Sequence, residues 1–235
     1  MITVDFNRLA IRPGDRVLDL GCGGGRHTAA ACRPPRAFAV GADVSLAELG
    51  DAKNRLRLHD RLGECGGRWG LCAADTTRLP FARKTFDLVI CCEVLEHIRD
   101  HRRAAAEIAR VLRPGGQLVV SVPRCWPEKV CWALSRAYHL AEGGHVRIYR
   151  RAALAALLEA AGLRLRAAHW AHSLHTPYWW LKCLVGPQRN DHPLVNLYQR
   201  FLTWDIMRRP RITGFCDRLL NPLLGKSLVL YFRKN

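Results

Sequence analysis

Apolar runs and stretches of helical period alternate along the first half of the chain. Largely apolar runs without strict alternation at 16–20, 37–42, 70–74, 86–92 and 117–122 read as strands covered on both faces, since a half-exposed strand would alternate apolar with polar residues. Between them, 26–33, 45–60 and 100–112 read as helices, and the polar stretch from Leu58 to Gly70 as a loop. Strand and helix in this order predict an α/β fold, with a parallel sheet and helices on both faces.

Past Pro123 the pattern changes. Val130, Leu134, Ala137 and Leu140 recur at helical spacing, predicting a helix over 126–141 that Gly143-Gly144 ends. A second helix is expected over 150–161, stopped by Gly162, and strands over 163–170 and 227–233. The intervening segment is too long for a structureless loop, so it should carry helices of its own.

The run Val17-Leu18-Asp19-Leu20-Gly21-Cys22-Gly23-Gly24-Gly25-Arg26-His27 carries the most chemistry. An apolar strand enters a glycine cluster directly, with one carboxylate before the bend. Glycines admit positive φ and close approach of a ligand to the backbone, and a helix opening behind them points free N–H groups at the same spot. This is a cofactor-binding strand–turn–helix. A dinucleotide fingerprint would need glycine at the first, third and sixth places. Counted from Gly21 the sixth is Arg26, which counts against a nicotinamide oxidoreductase.

Further segments follow in order. Phe38 to Ser45 ends a second strand in Asp43, roughly 20 residues after the turn, where a ribose-binding carboxylate is expected. Ala73 to Phe81 holds Asp75 and Thr76, Phe86 to Ile98 holds Cys91, Glu93 and His97, and Leu112 to Ser121 forms a turn and a strand. With the glycine turn, these resemble the five ordered motifs of class I S-adenosylmethionine-dependent methyltransferases, in particular the ubiquinone/menaquinone-type small-molecule enzymes. The resemblance spans residues 16–123.

It implies a Rossmann-like, seven-stranded, doubly wound sheet. Residues 1–123 would form the S-adenosyl-L-methionine-binding core. Residues 124–235 would complete the sheet with an antiparallel sixth and seventh strand, interrupted by a lid over approximately 171–226. The backbone of Gly21, Cys22, Gly23 and Gly25 would hold the methionine end of the cofactor. Asp19 would meet its ammonium group or order the turn. Asp43, with Val44 beside it, would bind the ribose, Asp75 and Thr76 the adenine edge, and Cys91 and Glu93 would line the space beside the sulfonium. His97 is the catalytic candidate by motif, with a structural hydrogen bond as its alternative. His145 lies in a segment that often faces the substrate, with loop ordering as its alternative. Arg147 and Tyr149 would shape the acceptor pocket. No Asn-Pro-Pro-Tyr-type motif follows the fourth strand, which counts against amino-group methylation of bases or glutamine.

Within the lid segment, His172, His175, Tyr178 and Trp179 are substrate candidates. Rings beside arginines suit an apolar acceptor or a membrane interface, suit RNA, or pack the lid to the sheet. The chain carries a formal charge of +17. Residues 1–123 hold 19 basic against 14 acidic side chains, residues 124–235 hold 18 against 6, so the excess lies behind the cofactor half. That balance fits an anionic surface or nucleic acid, or simply an arginine-rich composition. The ten cysteines form no Cys-x-x-Cys pair and suit a reducing compartment, so no metal is expected. No secretory signal or membrane span is visible, and the expectation is a cytoplasmic protein, free or peripheral to a membrane.

The function expected is methyl transfer to carbon or oxygen of a small or lipid-like acceptor. RNA methylation and a non-catalytic cofactor-binding adaptor are the rival readings.

Overall fold

The computed structural model describes residues 2–140, 144–189, 191–208 and 210–235. Seven strands form one sheet: β1 (Arg16–Leu20), β2 (Phe38–Asp43), β3 (Arg68–Ala73), β4 (Phe86–Cys92), β5 (Leu112–Pro123), β6 (Leu163–Ala171) and β7 (Ser227–Lys234). Their order is β3-β2-β1-β4-β5-β7-β6. β1 to β5 are mutually parallel, and β7 runs antiparallel to both β5 and β6. The order reverses between β1 and β4, so the crevice of the fold opens at the carboxyl ends of these two strands.

Helices α1 (Arg26–Ala31), α2 (Leu46–Arg61) and α3 (His101–Val111) connect the parallel strands. Ser45 caps α2 by accepting from the Glu48 amide at 3.3 Å, and Asp100 caps α3 by accepting from Arg103 at 3.0 Å. Side chains alternate across the sheet. Leu18, Leu20, Val89, Cys91 and Val120 pack on one face with Ile108 of α3. Val17, Ile90, Cys92 and Val119 pack on the other with Ala31 of α1. Each fully buried Leu or Ile contributes about 1.5–3 kcal/mol.

Two elements differ from the sequence reading. The expected loop from Leu58 to Gly70 is shorter, because α2 runs to Arg61 and β3 begins at Arg68. Leu49, Ala52 and Leu56 bury the α2 face, and Gly63 at φ +67 turns the chain out of it. The helix expected over 126–141 is broken into α4 (Cys125–Leu134) and α5 (Arg136–His139). Ser135 leaves the helix at φ −146, ψ 108, and its hydroxyl starts a new turn by accepting from Tyr138 at 3.2 Å. Gly143 of the expected stop lies outside the described residues. Helix α6 (Arg151–Ala160) leads into β6.

The sixth and seventh strands are interrupted as expected. The insertion is three helices, α7 (His175–Val185), α8 (Pro193–Arg208) and α9 (Arg211–Leu224). Its base is tied down by polar bonds: Ser173 Oγ donates to Asp217 at 2.7 Å, Thr176 donates to the Leu224 carbonyl at 2.5 Å, and Arg124 donates to the carbonyls of Asn221, Pro222 and Leu223.

Candidate active site

The strand–turn–helix sits at the switch point. Gly21, Gly23 and Gly25 adopt φ of +66, +47 and +74, where L side chains are strained. A Cβ on Gly21 would run into Val94, and one on Gly25 would lie 2.9 Å from the Ala52 Cβ of α2. The amides of Gly21 and Cys22 both donate to the Ala42 carbonyl, at 2.7 and 3.0 Å, which pins the turn against β2.

Asp19 is buried on the α1 face and accepts from the Thr28 hydroxyl at 2.6 Å. Burial pushes its pKa up to about 6, against those hydrogen bonds. With 2% of its surface exposed it joins strand to helix and offers a ligand almost nothing. That geometry fits the turn organiser of its two expected roles.

Asp43 ends β2 with its carboxylate toward the turn. It accepts from the Gly23 amide and from the Ser45 amide, both at 2.9 Å. Beside it Val44 is 72% exposed, an apolar surface open next to a carboxylate. Asp75 is exposed and accepts from the amide and hydroxyl of Thr77 through one oxygen, while Thr76 is buried. Cys22 is 8% exposed, and burial pushes its thiol pKa far up, so it is no nucleophile.

Glu93 follows β4 at φ +56, held there from both ends of the residue. Its amide donates to the Ser121 carbonyl at 2.9 Å, and its carboxylate accepts from the Ser121 hydroxyl at 2.7 Å. Cys91 corrects the sequence reading: strand alternation turns it into the core among Leu18, Leu20 and Val120, with no exposed surface, so it lines no cofactor space.

A second group of polar side chains gathers past the carboxyl ends of β4 and β5. Glu96 is 1% exposed, and neither carboxylate oxygen has a hydrogen-bond partner. Burial first, and the charge of Glu93 next, push its pKa well above the ordinary carboxylate range. His97 lies beside it, Nε2 to Oε1 at 4.0 Å, with its Nδ1 3.2 Å from the Gly144 carbonyl. The rings of His97 and His145 meet edge to face at 4.9 Å.

His145 Nδ1 lies 2.6 Å from Glu128 Oε1, and Lys226 donates to Glu128 Oε2 at 3.0 Å. Burial alone would raise the Glu128 pKa. The hydrogen bond from His145 and the Lys226 charge reverse that and hold it at about 2. The ionised Glu128 carboxylate fixes the orientation of the His145 ring through Nδ1. The sequence reading assigns no metal, yet one ligand atom each of Glu96, His97 and His145 lie within 4.8 Å of one another, a spacing that one divalent cation could share.

Four other candidates stand elsewhere. The Arg147 guanidinium is engaged with backbone. It donates to the carbonyls of Leu95, Ile98 and Arg99, clamping the segment that carries Glu96 and His97. Tyr149 is 4% exposed and its hydroxyl lies 2.6 Å from His101 Nδ1, so it too is structural. His172 and His175 line a separate cavity of about 540 Å³ between the lid, α1 and α2, where Arg26, Arg33 and Arg55 also face. Trp179 does lie by the polar group, under Lys226 Nζ at 5.5 Å and against Tyr138 at 5.9 Å, and Tyr178 packs on Trp179.

Sequence reasoning missed Glu96, Glu128, Tyr138 and Lys226. Glu96 adjoins His97 in a motif already read for its histidine. The other three are distant in sequence from the groups they meet and leave no local signal.

A parallel sheet with an antiparallel last strand, a glycine turn at its switch point and an acid ending β2 define a Rossmann-like methyltransferase architecture. The chain belongs to the methyltransferase domain family, whose pattern it matches over residues 3–168. It is 35% identical over 175 residues to the demethylmenaquinone methyltransferase of Mycobacterium sp. (strain KMS), covering 69% of this chain and 70% of that one. It is 37% identical over 119 residues to the methyltransferase GfsG of Streptomyces halstedii, covering 49% of this chain but 40% of that protein's length. Among solved structures, a SAM-dependent methyltransferase from Methanosarcina mazei superposes with a TM-score of 0.63 at 14% identity, covering 100% of this chain and 99% of that one. The [4+2]-cyclase SpnF superposes with a TM-score of 0.62 at 22% identity, covering 97% and 78%. The fold therefore does not by itself settle the reaction.

Proposed function

We propose that this protein uses S-adenosyl-L-methionine to methylate oxygen or carbon of a small, lipid-like acceptor. The observation that carries the reading is the pairing of two features at one end of the sheet. One is a glycine cradle with Asp43 and open Val44 beside it. The other is a buried carboxyl, Glu96, without a partner, next to an oriented imidazole.

The turn fits the cofactor because a Cβ on Gly21 or Gly25 would meet a neighbour, while Val44 leaves an apolar surface free. Gly21 to Gly25 would hold the methionine end, Asp43 the ribose hydroxyls and Asp75 the adenine edge. Held there by these residues, the cofactor would supply a methyl group already activated for in-line displacement. The protein then has to align the acceptor, keep water out and receive a proton.

His145 Nε2 receives the acceptor's proton, and the Glu128 carboxylate stabilises the resulting imidazolium. Glu96, favoured in its protonated form by burial, donates to an acceptor oxygen. Trp179 and Tyr138 wall the space with rings that suit an apolar body. The O-methyltransferases and demethylmenaquinone methyltransferases among the relatives support an acceptor with a hydroxyl or quinone-like ring.

The test is transfer of a labelled methyl group into organic-soluble material from membrane extracts. Wild type should yield labelled product, and His145→Gln should lower the rate by about 10²–10⁴-fold with cofactor binding intact. Full activity in His145→Gln would remove the base assigned here, and no labelled product from wild type would remove the acceptor class.

A further inference from the structure

Helix α9 has 14 residues, and none of them is buried. An amphipathic helix on a protein surface normally turns its apolar stripe into the core. Here Ile212, Phe215, Leu219 and Leu223 recur at steps of 3, 4 and 4, one face of the helix, and remain 77%, 62%, 65% and 67% exposed. Helix α8 repeats the arrangement, with Leu197 65% and Trp204 49% exposed. Two consecutive helices with apolar stripes facing water exceed what a free-standing surface normally shows.

The charges around these stripes have one sign. Arg200, Arg208, Arg211 and Arg218 are exposed. At about 100° per residue, Arg211 and Arg218 lie together along one edge of the α9 stripe while Asp217 lies on the opposite side of the helix. Asp217 is occupied at the lid base, accepting from Ser173 and Leu174, and Asp205 lines the cavity beneath the lid. The acids of the two helices thus turn inward, and exposed arginines border the apolar face.

We infer that the outer face of α8 and α9 docks on an anionic lipid surface, with the apolar stripes in the headgroup–acyl boundary and the arginines on lipid phosphates. A second copy of the chain would set these arginines against their equivalents, a like-charge juxtaposition that opposes association. Lipid phosphates complement them. The face is also continuous with the interior. Rings run from Tyr138 through Trp179, Tyr178, Tyr198 and Phe201 to Trp204, each centroid 5.8–6.1 Å from the next. Among the readings open for the lid's rings in the sequence is a membrane interface. Trp180 turns inward, its Nε1 donating to the Pro127 carbonyl at 3.2 Å, so the exposed apolar surface of the lid lies on α8 and α9.

The test is co-sedimentation of the full chain with vesicles of phosphatidylglycerol and phosphatidylcholine, against phosphatidylcholine alone, with no methyl donor or acceptor present. Its failure is therefore distinct from failure of the methyl-transfer reading. Wild type should pellet with the anionic vesicles only and release as salt rises from about 0.1 to about 1 M. Ile212→Ser/Phe215→Ser/Leu219→Ser changes only exposed side chains, so it should keep its circular dichroism and lose at least about tenfold in partitioning. Arg211→Gln/Arg218→Gln should lose a comparable factor. Wild type left in the supernatant, or a folded triple variant that still pellets fully, would overturn the inference. A dimer in solution that Phe215→Ser dissociates would overturn it as well, by placing a second copy on this face.

Discussion

Glu96 concentrates the physical tension of the site in one residue. A carboxyl with 1% exposure and no hydrogen-bond partner is costly to ionise, so folding binds its proton more tightly than the unfolded chain does. Its folded pKa is raised, so the folded state is favoured below the unfolded pKa, and stability is lost as pH rises from about 4.5 toward the folded value. Glu96→Gln removes the titrating group at nearly the same volume. The variant should unfold at a higher temperature than wild type at pH 8, with the gap closing toward pH 4.5, by differential scanning calorimetry. A gap that stays constant with pH would mean that Glu96 is solvated or paired in the folded protein. Position along the motif located His97 and Asp43, but it could not distinguish a side chain that is free from one that is engaged. Arg147 has the charge to hold an acidic acceptor, and only the fold shows its guanidinium spent on three carbonyls of the 95–99 segment. The face that Cys91 takes is hidden in the sequence because the run from Leu88 to Cys92 is apolar on every residue.

Among the elements, the lid is held by groups that acid would disable. Thr3 joins the glycine-turn helix to the lid: its amide donates to His27 Nε2 at 3.1 Å, and its hydroxyl lies 3.3 Å from His172 Nε2. Burial pushes His27 down to about 4, with Arg26 adding to it, and pushes His172 down to about 3, with His175 adding to it. Both are neutral in the folded protein and charge more readily when exposed. Their contribution is complete above about 6.5 and is lost as pH falls toward 4 and 3. Amide hydrogen exchange in α7, corrected for its intrinsic pH dependence, should accelerate between pH 7 and pH 5. Unchanged protection across that interval would detach the lid from this pair of histidines. The strands of the sheet were legible because their signal is local. The break of α4 from α5 at Ser135 was not, since the hydrophobic spacing from Val130 to Leu140 continues straight through it.

At the scale of the whole molecule, the glycine turn, the acid ending β2 and the order of elements all read correctly because each is a short segment with its own pattern. The Glu96, Glu128, His145 and Lys226 group is assembled from the segment after β4, α4, the segment before α6 and the residue preceding β7, and becomes visible only when the sheet closes. The basic excess of residues 124–235 likewise acquires a direction only once α8 and α9 are in place.

The central claim is that the glycine cradle and Asp43 bind the methyl donor's adenosyl and methionine ends. It is tested most directly by calorimetric titration with S-adenosylhomocysteine, which cannot react, on wild type and on Asp43→Ala. The expected result is binding in the micromolar range, about −8 kcal/mol, weakened at least about tenfold in a variant that still unfolds cooperatively. No heat of binding to the folded wild type would contradict the account and leave the glycine turn to another ligand.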